Sequence, residues 1–144
     1  RHKGLEFSIN GRLADKWNIL GGFSRMSAKQ EKTTKGALDG IRVNGTSEWT
    51  AVLGLEYNPN EAWSILGRAI YTGKTPVMNE KIWAPGYTIF DLGVTHKTHF
   101  GKIPAELSLM VNNVFDKDYW QVSRGNQVYL SLPRTFSFTA KLHF

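Results

Sequence analysis

Histidine is the residue type in this chain best suited to metal binding and proton transfer, and it occurs at His2, His96, His99 and His143. A zinc site of the kind that can be read from sequence needs histidines at ligand spacing, with a carboxylate or cysteine partner. No pair of these histidines has helix-type ligand spacing beside such a partner, and the chain has no cysteine. We therefore expect no metal site.

Carboxylates and hydroxyl groups could do chemistry if neighbouring strands placed them together. Asp91 and Glu106 fall on the polar sides of two alternating segments, so both would point into the same interior. A hydrolase would need a serine and a histidine on one face of adjacent strands, and Ser108 and His96 cannot be aligned from sequence alone. We interpret the two acids as part of a hydrogen-bonded wall and predict that the chain is not an enzyme.

A small polar cluster consists of Asn112, Asn113 and Asp116, which could be mistaken for a cation site. Asparagine and aspartate side chains more often bond nearby backbone amides and so shape turns. We expect Asp116 to organise the turn that leaves its strand.

Aromatic residues and one arginine are concentrated in stretches that predict loops. Their flat rings and positive charge suit a bulky anionic or aromatic chelate. The alternative for each of them is packing within the loops or a place in an aromatic belt. The candidate ligand-binding residues are Trp83, Tyr87, Tyr119, Trp120, Arg124 and Tyr129.

These side chains must be positioned by strands, because apolar and polar residues alternate with a period of two through most of the chain. The alternation predicts an all-β fold with seven strands and no helix. Leu20 is an exception within the second segment. The predicted strands are residues 5–13, 17–23, 49–57, 63–71, 90–94, 107–111 and 136–144.

The connections between these strands alternate strictly in length. Short turns follow the first, third and fifth strands, whereas polar stretches over about residues 29–44, 73–86 and 116–132 follow the others. This pattern indicates an antiparallel up-and-down meander with tight turns at one end and extended loops at the other. Outer-membrane barrels have this asymmetry, with short periplasmic turns and long extracellular loops.

Composition limits the class of protein further. Hydrophobic residues make up 41% of the chain, and no run of about eighteen consecutive apolar residues predicts a membrane-spanning helix. The net charge of +6 is spread along the sequence, which argues against a nucleic-acid partner.

Trp49 and Tyr57, like Trp63 and Tyr71, bracket an apolar face, as aromatic belts do at both membrane surfaces. A soluble sandwich or lipocalin-like barrel with the same aromatics in its core stays open.

Three stretches resemble the TonB-dependent outer-membrane receptors, in particular the ferric-siderophore receptors. "LSLMVNNVFDKDYW" resembles the penultimate strand and last outer loop of that family, with Asn113, Phe115, Asp116 and Tyr119 in motif positions. "PGYTIFDLGV" resembles the preceding strand, with matches at Gly86, Tyr87 and Asp91. "LPRTFSFTAKLHF" resembles the final strand, which carries the signal recognised by the barrel-assembly machinery. That signal would comprise Phe136, Phe138, Ala140, Leu142 and Phe144.

The resemblance implies that residues 1–144 are the C-terminal portion of a 22-stranded barrel in the outer membrane of a Gram-negative bacterium. The plug domain and the earlier strands would lie outside this chain. It implies a ferric siderophore or similar chelate as the transported ligand, with no cofactor bound directly. The implied partners are outer-membrane lipid, the assembly machinery, and TonB acting through the plug.

Two other interpretations of the sequence remain open. The runner-up is a small self-contained barrel, either a structural outer-membrane protein or a lipocalin-like soluble carrier. An outer-membrane enzyme ranks third.

Overall fold

A computed structural model of the chain describes residues 1–123 and 126–143, and its main feature is one seven-stranded antiparallel sheet. The sheet contains β1 (His2–Ala14), β2 (Trp17–Ala28), β3 (Trp49–Asn60), β4 (Trp63–Thr72), β7 (Tyr87–Phe100), β8 (Ile103–Asn112) and β11 (Thr135–Leu142). These strands neighbour one another in sequence order, so the predicted meander is confirmed.

Two short hairpins and one helical turn lie within the long connections. The hairpins pair β5 (Thr75–Val77) with β6 (Ile82–Ala84), and β9 (Trp120–Val122) with β10 (Val128–Leu130). The helical turn is a 3-10 turn at Thr34–Gly36. In the part of the chain that the structure describes, no helix is long and apolar enough to cross a membrane.

One face of the sheet, called the apolar face, is lined by hydrophobic side chains from all seven strands. The register places Leu53 opposite Gly21 and Ala69, and Leu109 opposite Val94 and Phe138. No second layer from the described residues covers this face: Leu53 is 49% exposed and Phe138 is 68% exposed. A soluble sheet buries such a face against another layer, so this one needs a cover from outside these residues.

The opposite face, called the polar face, carries most of the hydrogen-bonding side chains of the strands. Asn18 donates to Glu56 at 3.1 Å, and the hydroxyl groups of Thr95 and Ser108 are 3.0 Å apart. Asp91 and Glu106 do share this face, as predicted. Glu106 lies opposite Lys97 rather than Asp91, and six residues of strand separate those two levels by roughly 20 Å.

His96 occupies the apolar face, with its ring 4.1 Å from that of Trp63. Ser108 is on the polar face, so the sheet itself separates this serine from this histidine. The hydrolase arrangement considered from the sequence is therefore not formed.

Aromatic side chains mark both ends of the apolar face. At the short-turn end, where β1–β2, β3–β4 and β7–β8 are joined, the rings of Trp17 and Tyr57 lie 4.7 Å apart. At the long-loop end, the rings of Phe23 and Trp49 stack at 6.3 Å. The two belts expected from the spacing of aromatics are thus formed.

The two edges of the sheet are β1 and β11. On β11, the predicted assembly residues Phe136, Phe138, Ala140 and Leu142 lie opposite apolar residues of β8 from Val111 to Ala105. The fifth, Phe144, lies outside the described residues. Unpaired backbone groups along an edge are costly in lipid, so both edges require further strands if the sheet is a membrane wall.

Candidate ligand-binding loops

Three long loops emerge from the same end of the sheet and contact one another. They are the first loop (29–48), the second loop (73–86) and the third loop (113–134). The backbone N–H of Asn79 donates to Asn44 Oδ1 at 2.8 Å, which joins the second loop to the first. The backbone N–H of Met78 donates to Asn126 Oδ1 at 3.2 Å, which joins the second loop to the third.

The tip of the second loop has an unusual backbone. Met78, Asn79 and Glu80 have φ angles of 50°, 56° and 64°, a left-handed region that residues other than glycine seldom occupy. The contacts to Asn44 and Asn126 hold this turn from both sides, and Arg42 pairs with Glu80 at 3.6 Å. The neighbouring loops therefore fix a conformation that the second loop would not hold by itself.

The third loop is anchored to the seven-stranded sheet, called the wall, by a buried polar network. Asp91 on β7 is 6% exposed and accepts from Arg68 Nη2 at 2.6 Å. Its other oxygen accepts from the backbone N–H of Asn113 at 3.0 Å. Asn113 Nδ2 donates to the carbonyl oxygens of Lys117 and Leu132, at the two ends of the loop. One side chain thus ties both ends of the loop to the wall.

Asp116 helps to close the base of the same loop. Its Oδ1 accepts from the backbone N–H of Arg134 at 2.7 Å, while Arg134 Nη1 donates to the Val114 carbonyl at 3.2 Å. The φ of Asp116 is 52°. Asp116 therefore organises this turn, as predicted, although its partner is across the loop rather than beside it. Among the residues described, no group of histidine and acidic side chains is arranged to hold a metal ion.

A stacked tyrosine pair lies where the third loop meets the wall. The rings of Tyr87 and Tyr119 are 4.0 Å apart and 25° from parallel. Thr88 lies opposite Tyr71 on the apolar face, so the adjacent Tyr87 lies on the polar face, as does Asp91 four residues later. The backbone N–H of Tyr119 donates to Ser131 Oγ at 3.2 Å, and its hydroxyl oxygen accepts from Gln121 Nε2 at 3.3 Å.

Burial raises the pKa of Tyr119, and the neighbouring Tyr87 and Asp91 act in the same direction, whereas the hydrogen bond from Gln121 acts against them. The phenol is thus kept neutral and available as a hydrogen-bond donor at physiological pH. The pair therefore offers an aromatic surface edged by a hydroxyl group.

The β9–β10 hairpin places two further candidate ligand-binding residues on its opposite sides. Tyr129 lies opposite Gln121, whereas Trp120 lies opposite Leu130. Residues directly opposite share a face and adjacent residues do not. Tyr129 is therefore on the side of Gln121 and Tyr119, with 50% of its surface exposed, and Trp120 is on the other side of the hairpin.

Trp83 lies on β6, in the second loop. It lines a pocket of about 370 Å³ together with Trp49 and Tyr71, both on the apolar face. The Nζ atom of Lys74 lies 4.7 Å from the centre of its ring. Arg124, the one cation among the candidates, lies outside the described residues.

Glu48, at the base of the first loop, links two arginines. It accepts from Arg25 at 3.2 Å and from Arg42 at 2.7 Å. Partial burial acts to raise the pKa of Glu48, but the hydrogen bond from Arg25 and the charges of both arginines outweigh burial and lower it. This carboxylate therefore remains charged and holds the first loop against β2.

Sequence reasoning missed Gln121 and Ser131, which hydrogen-bond to Tyr119, and Arg68, which pairs with Asp91. Arg68 faces Asp91 only through the pairing of β4 with β7. The alternation placed both residues on the polar face, but it did not give the register between strands.

Comparison with known proteins identifies sequence relatives for most of the chain. Residues 1–114 match the model of the family described as "TonB dependent receptor-like, beta-barrel". The catecholate siderophore receptor Fiu of Escherichia coli K12 is 27% identical over 157 residues, covering 100% of this chain and 20% of that protein. The probable TonB-dependent siderophore receptor PiuA of Acinetobacter baumannii is 26% identical, covering 81% of this chain and 17% of that protein.

The fold is also similar to that of solved structures. The crystal structure of BauA, the ferric preacinetobactin receptor from Acinetobacter baumannii, superposes with a TM-score of 0.86 over 96% of this chain at 24% identity. The match covers 21% of that receptor. At this identity the likeness establishes the fold alone. The chain spans about a fifth of the length of the curated relatives Fiu and PiuA.

Proposed function

This chain belongs to the TonB-dependent receptor β-barrel family, and we propose that it forms wall and outer loops in a receptor that takes up a ferric siderophore. Proteins of this family are outer-membrane β-barrels of Gram-negative bacteria. Within that receptor, residues 1–144 are the C-terminal portion of the barrel, and the plug and the earlier strands lie outside this chain. The family match, together with relatives at full coverage of the chain but a fifth of their own length, supports this assignment.

The stacking of Tyr87 on Tyr119 is the observation that best supports the proposed ligand. Tyr87 and Tyr119 stack on the polar face, at the long-loop end, where the barrel interior opens toward the outside. Flat aromatic groups of an iron chelate can stack on such rings, and a neutral phenol can donate to chelate oxygens. The family model and the printed names of Fiu, PiuA and BauA support a siderophore as the class of ligand.

Each remaining candidate has a distinct place in this proposal. Tyr129 widens the contact surface on the side of the tyrosine pair, and Trp120 covers the opposite side of the hairpin. Arg124 supplies a positive charge for the anionic chelate. Trp83, beside the belt residues Trp49 and Tyr71, packs at the membrane surface rather than against the ligand.

The remaining steps of uptake belong to other parts of the receptor and to its partners. TonB acts through the plug, so this chain supplies wall and loops rather than energy coupling. Outer-membrane lipid covers the apolar face, and the barrel-assembly machinery recognises β11 through its alternating apolar residues. A small self-contained barrel is the weaker alternative, because it leaves β1 and β11 as unpaired edges and does not account for relatives about five times longer.

Substitution of either stacked tyrosine should weaken siderophore binding. In the intact receptor that carries this segment, we expect Tyr87→Ala and Tyr119→Ala each to raise the Kd for a ferric catecholate about tenfold, which corresponds to about 1.4 kcal/mol. Tyr119→Phe keeps the ring and should bind more tightly than Tyr119→Ala. Quenching of tryptophan fluorescence in detergent, as the siderophore is titrated, measures the Kd.

Trp83→Ala is the matched control, because it removes an aromatic ring of a loop on the membrane side. Its Kd should stay within about twofold of the unmodified receptor, a difference of about 0.4 kcal/mol. Unchanged binding in both tyrosine variants, or an equal loss in Trp83→Ala, would contradict the assignment of the tyrosine pair as the contact surface.

A further inference from the structure

The β9–β10 hairpin of the third loop has two sides of opposite chemical character. Directly opposite residues share a side, and adjacent residues do not. One side, called the valine side, is formed by Trp120, Val122, Val128 and Leu130. On the other, called the glutamine side, Gln121 lies opposite Tyr129 and is hydrogen-bonded to Tyr119. The hairpin therefore separates apolar side chains from aromatic and amide groups that can form hydrogen bonds.

The glutamine side is anchored to an inner strand of the sheet. Tyr119 stacks on Tyr87 of β7 with the ring centres 4.0 Å apart, and β7 is paired with β4 on one side and with β8 on the other. At the base of the loop, the backbone N–H of Asn113 donates to Asp91 of the same strand at 3.0 Å. Residues of this chain thus fix the place of the glutamine side, away from both edges of the sheet.

The side-chain amide of Gln121 uses only part of its hydrogen-bonding capacity within the chain. Its Nε2 atom donates to Tyr119 Oη at 3.3 Å. A glutamine amide has a second N–H donor and a carbonyl oxygen, and across residues 1–123 and 126–143 these groups have no hydrogen-bond partner. The residue is only partly buried. One donor and one acceptor therefore remain side by side for a ligand.

The same hydrogen bond directs the hydroxyl group of Tyr119. Because its oxygen accepts from Gln121, its own proton points away from that amide and can be donated to another group. Tyr129, directly opposite Gln121 and 50% exposed, adds a second phenol to this side. The glutamine side thus combines flat rings with several hydrogen-bond donors.

The glutamine side suits a neutral part of a ligand better than a negatively charged one. Tyr119, Gln121 and Tyr129 have uncharged side chains at neutral pH. Burial is the main cause of the raised pKa of Tyr119, and the negative charge of Asp91 adds to it. That charge also acts against an anionic group placed beside this phenol. The charged iron centre of a chelate is therefore better placed elsewhere in the loops.

A secondary amide is the neutral group that best complements Gln121. Its carbonyl oxygen can accept from the second N–H of Nε2, while its own N–H donates to Oε1. An aromatic ring attached to that amide can stack on the adjacent pair of Tyr87 and Tyr119. A chelating ring joined to the rest of the ligand through an amide satisfies both features at once.

We propose that Gln121 is a specificity-determining residue that binds the amide linking an aromatic chelating ring to the backbone of the siderophore. The ring stacks on the tyrosine pair, and the iron centre lies away from Asp91. Gln121 thereby selects amide-linked aromatic chelates over aromatic chelates with other linkers. This inference rests on the proposed siderophore function and names the ligand group that one residue recognises within it.

The test compares two ferric tris-catecholates of equal charge on the intact receptor. Amide groups join the rings to the backbone in one chelate, and all-carbon linkers join them in the other. Wild-type receptor should bind the amide-linked chelate about tenfold more tightly, the effect of one or two neutral hydrogen bonds. Gln121→Leu, which has a similar size, should raise the Kd for the amide-linked chelate about tenfold and keep that for the all-carbon chelate within about threefold. Quenching of tryptophan fluorescence measures each Kd.

Val122→Thr is the matched control, because it changes the neighbouring residue on the valine side without changing its size. Both Kd values should stay at their wild-type level. Equal loss of both chelates in Gln121→Leu would overturn the assignment, because a purely structural role weakens both alike. Equal affinity of the wild-type receptor for the two chelates would also overturn it and leave siderophore uptake standing. A wild-type receptor that binds neither chelate would contradict the uptake function itself, and this inference with it.

Discussion

Replacing Asp91 by leucine should lower the free energy of unfolding of the intact receptor by about 3 kcal/mol. The substitution removes the partner of Arg68 and leaves the buried N–H of Asn113 without an acceptor. Asp91 is 6% exposed, whereas the Arg68 side chain is 37% exposed and can partly rehydrate, so the loss stays below the upper values for a fully buried pair. Equilibrium unfolding in guanidinium chloride, with the receptor in lipid vesicles, measures the change.

The double variant Arg68→Met/Asp91→Leu separates the two parts of this loss. It removes both charges, so the ion-pair part should be recovered, while the unpaired N–H of Asn113 should still cost about 1 to 2 kcal/mol. A loss below about 0.5 kcal/mol in Asp91→Leu would show that the network does not anchor the third loop. A double variant less stable than Asp91→Leu would show that Arg68 stabilises the wall through other contacts.

Replacing Leu53 by arginine should destabilise the receptor by about 2 to 4 kcal/mol, the expected effect of a cation at the bilayer midplane of a β-barrel. Leu53 lies midway along β3 between the belt residues Trp49 and Tyr57, and its side chain is 49% exposed on the apolar face. Its neighbours across the sheet, Gly21 and Ala69, are too small to shield an arginine from lipid. The same unfolding titration, repeated in vesicles of two thicknesses, measures this effect.

Val52→Arg provides the matched control for that variant. Val52 precedes Leu53 on the same strand and is also aliphatic, but it lies on the polar face opposite Gly22 and Ile70. An arginine there reaches the barrel interior and should cost less than half as much as Leu53→Arg. Equal losses at the two positions would mean that the sheet does not separate lipid from interior at this depth.

The seven strands were predictable because each has an apolar residue or glycine at every second position over five residues or more. The strands share one continuous apolar face, and no helical pattern interrupts their alternation. The hairpins β5–β6 and β9–β10 were not predictable, because strands of three residues carry too little alternation to be distinguished from loop. The contact of His96 with Trp63 was not predictable for another reason, because it is fixed by the pairing of β4 with β7.

The residue types of the candidate site were predictable, but the side on which each of these residues lies was not. Aromatic side chains in polar stretches indicated binding loops, and Tyr87 and Tyr119 do come together there. Whether a loop aromatic faces the interior or the membrane depends on the register of a short hairpin, as the separation of Tyr129 from Trp120 illustrates. The motif residues Asn113 and Asp116 were visible in sequence, but their long-range partners Leu132 and Arg134 follow only from the folded loop.

The most direct test of the membrane wall is a spin-label scan of β3 from residue 50 to residue 56 in the intact receptor. The chain has no cysteine, so a single cysteine placed in this segment is its one labelled site, once any cysteines elsewhere in the receptor have been replaced. Apolar oxygen should relax the labels at positions 51, 53 and 55, and a water-soluble nickel chelate should relax those at 50, 52, 54 and 56. Accessibility that alternates in this phase, with oxygen highest at 53, is the result expected of a wall between lipid and a polar interior. Uniform accessibility along the strand, or alternation in the opposite phase, would contradict the account.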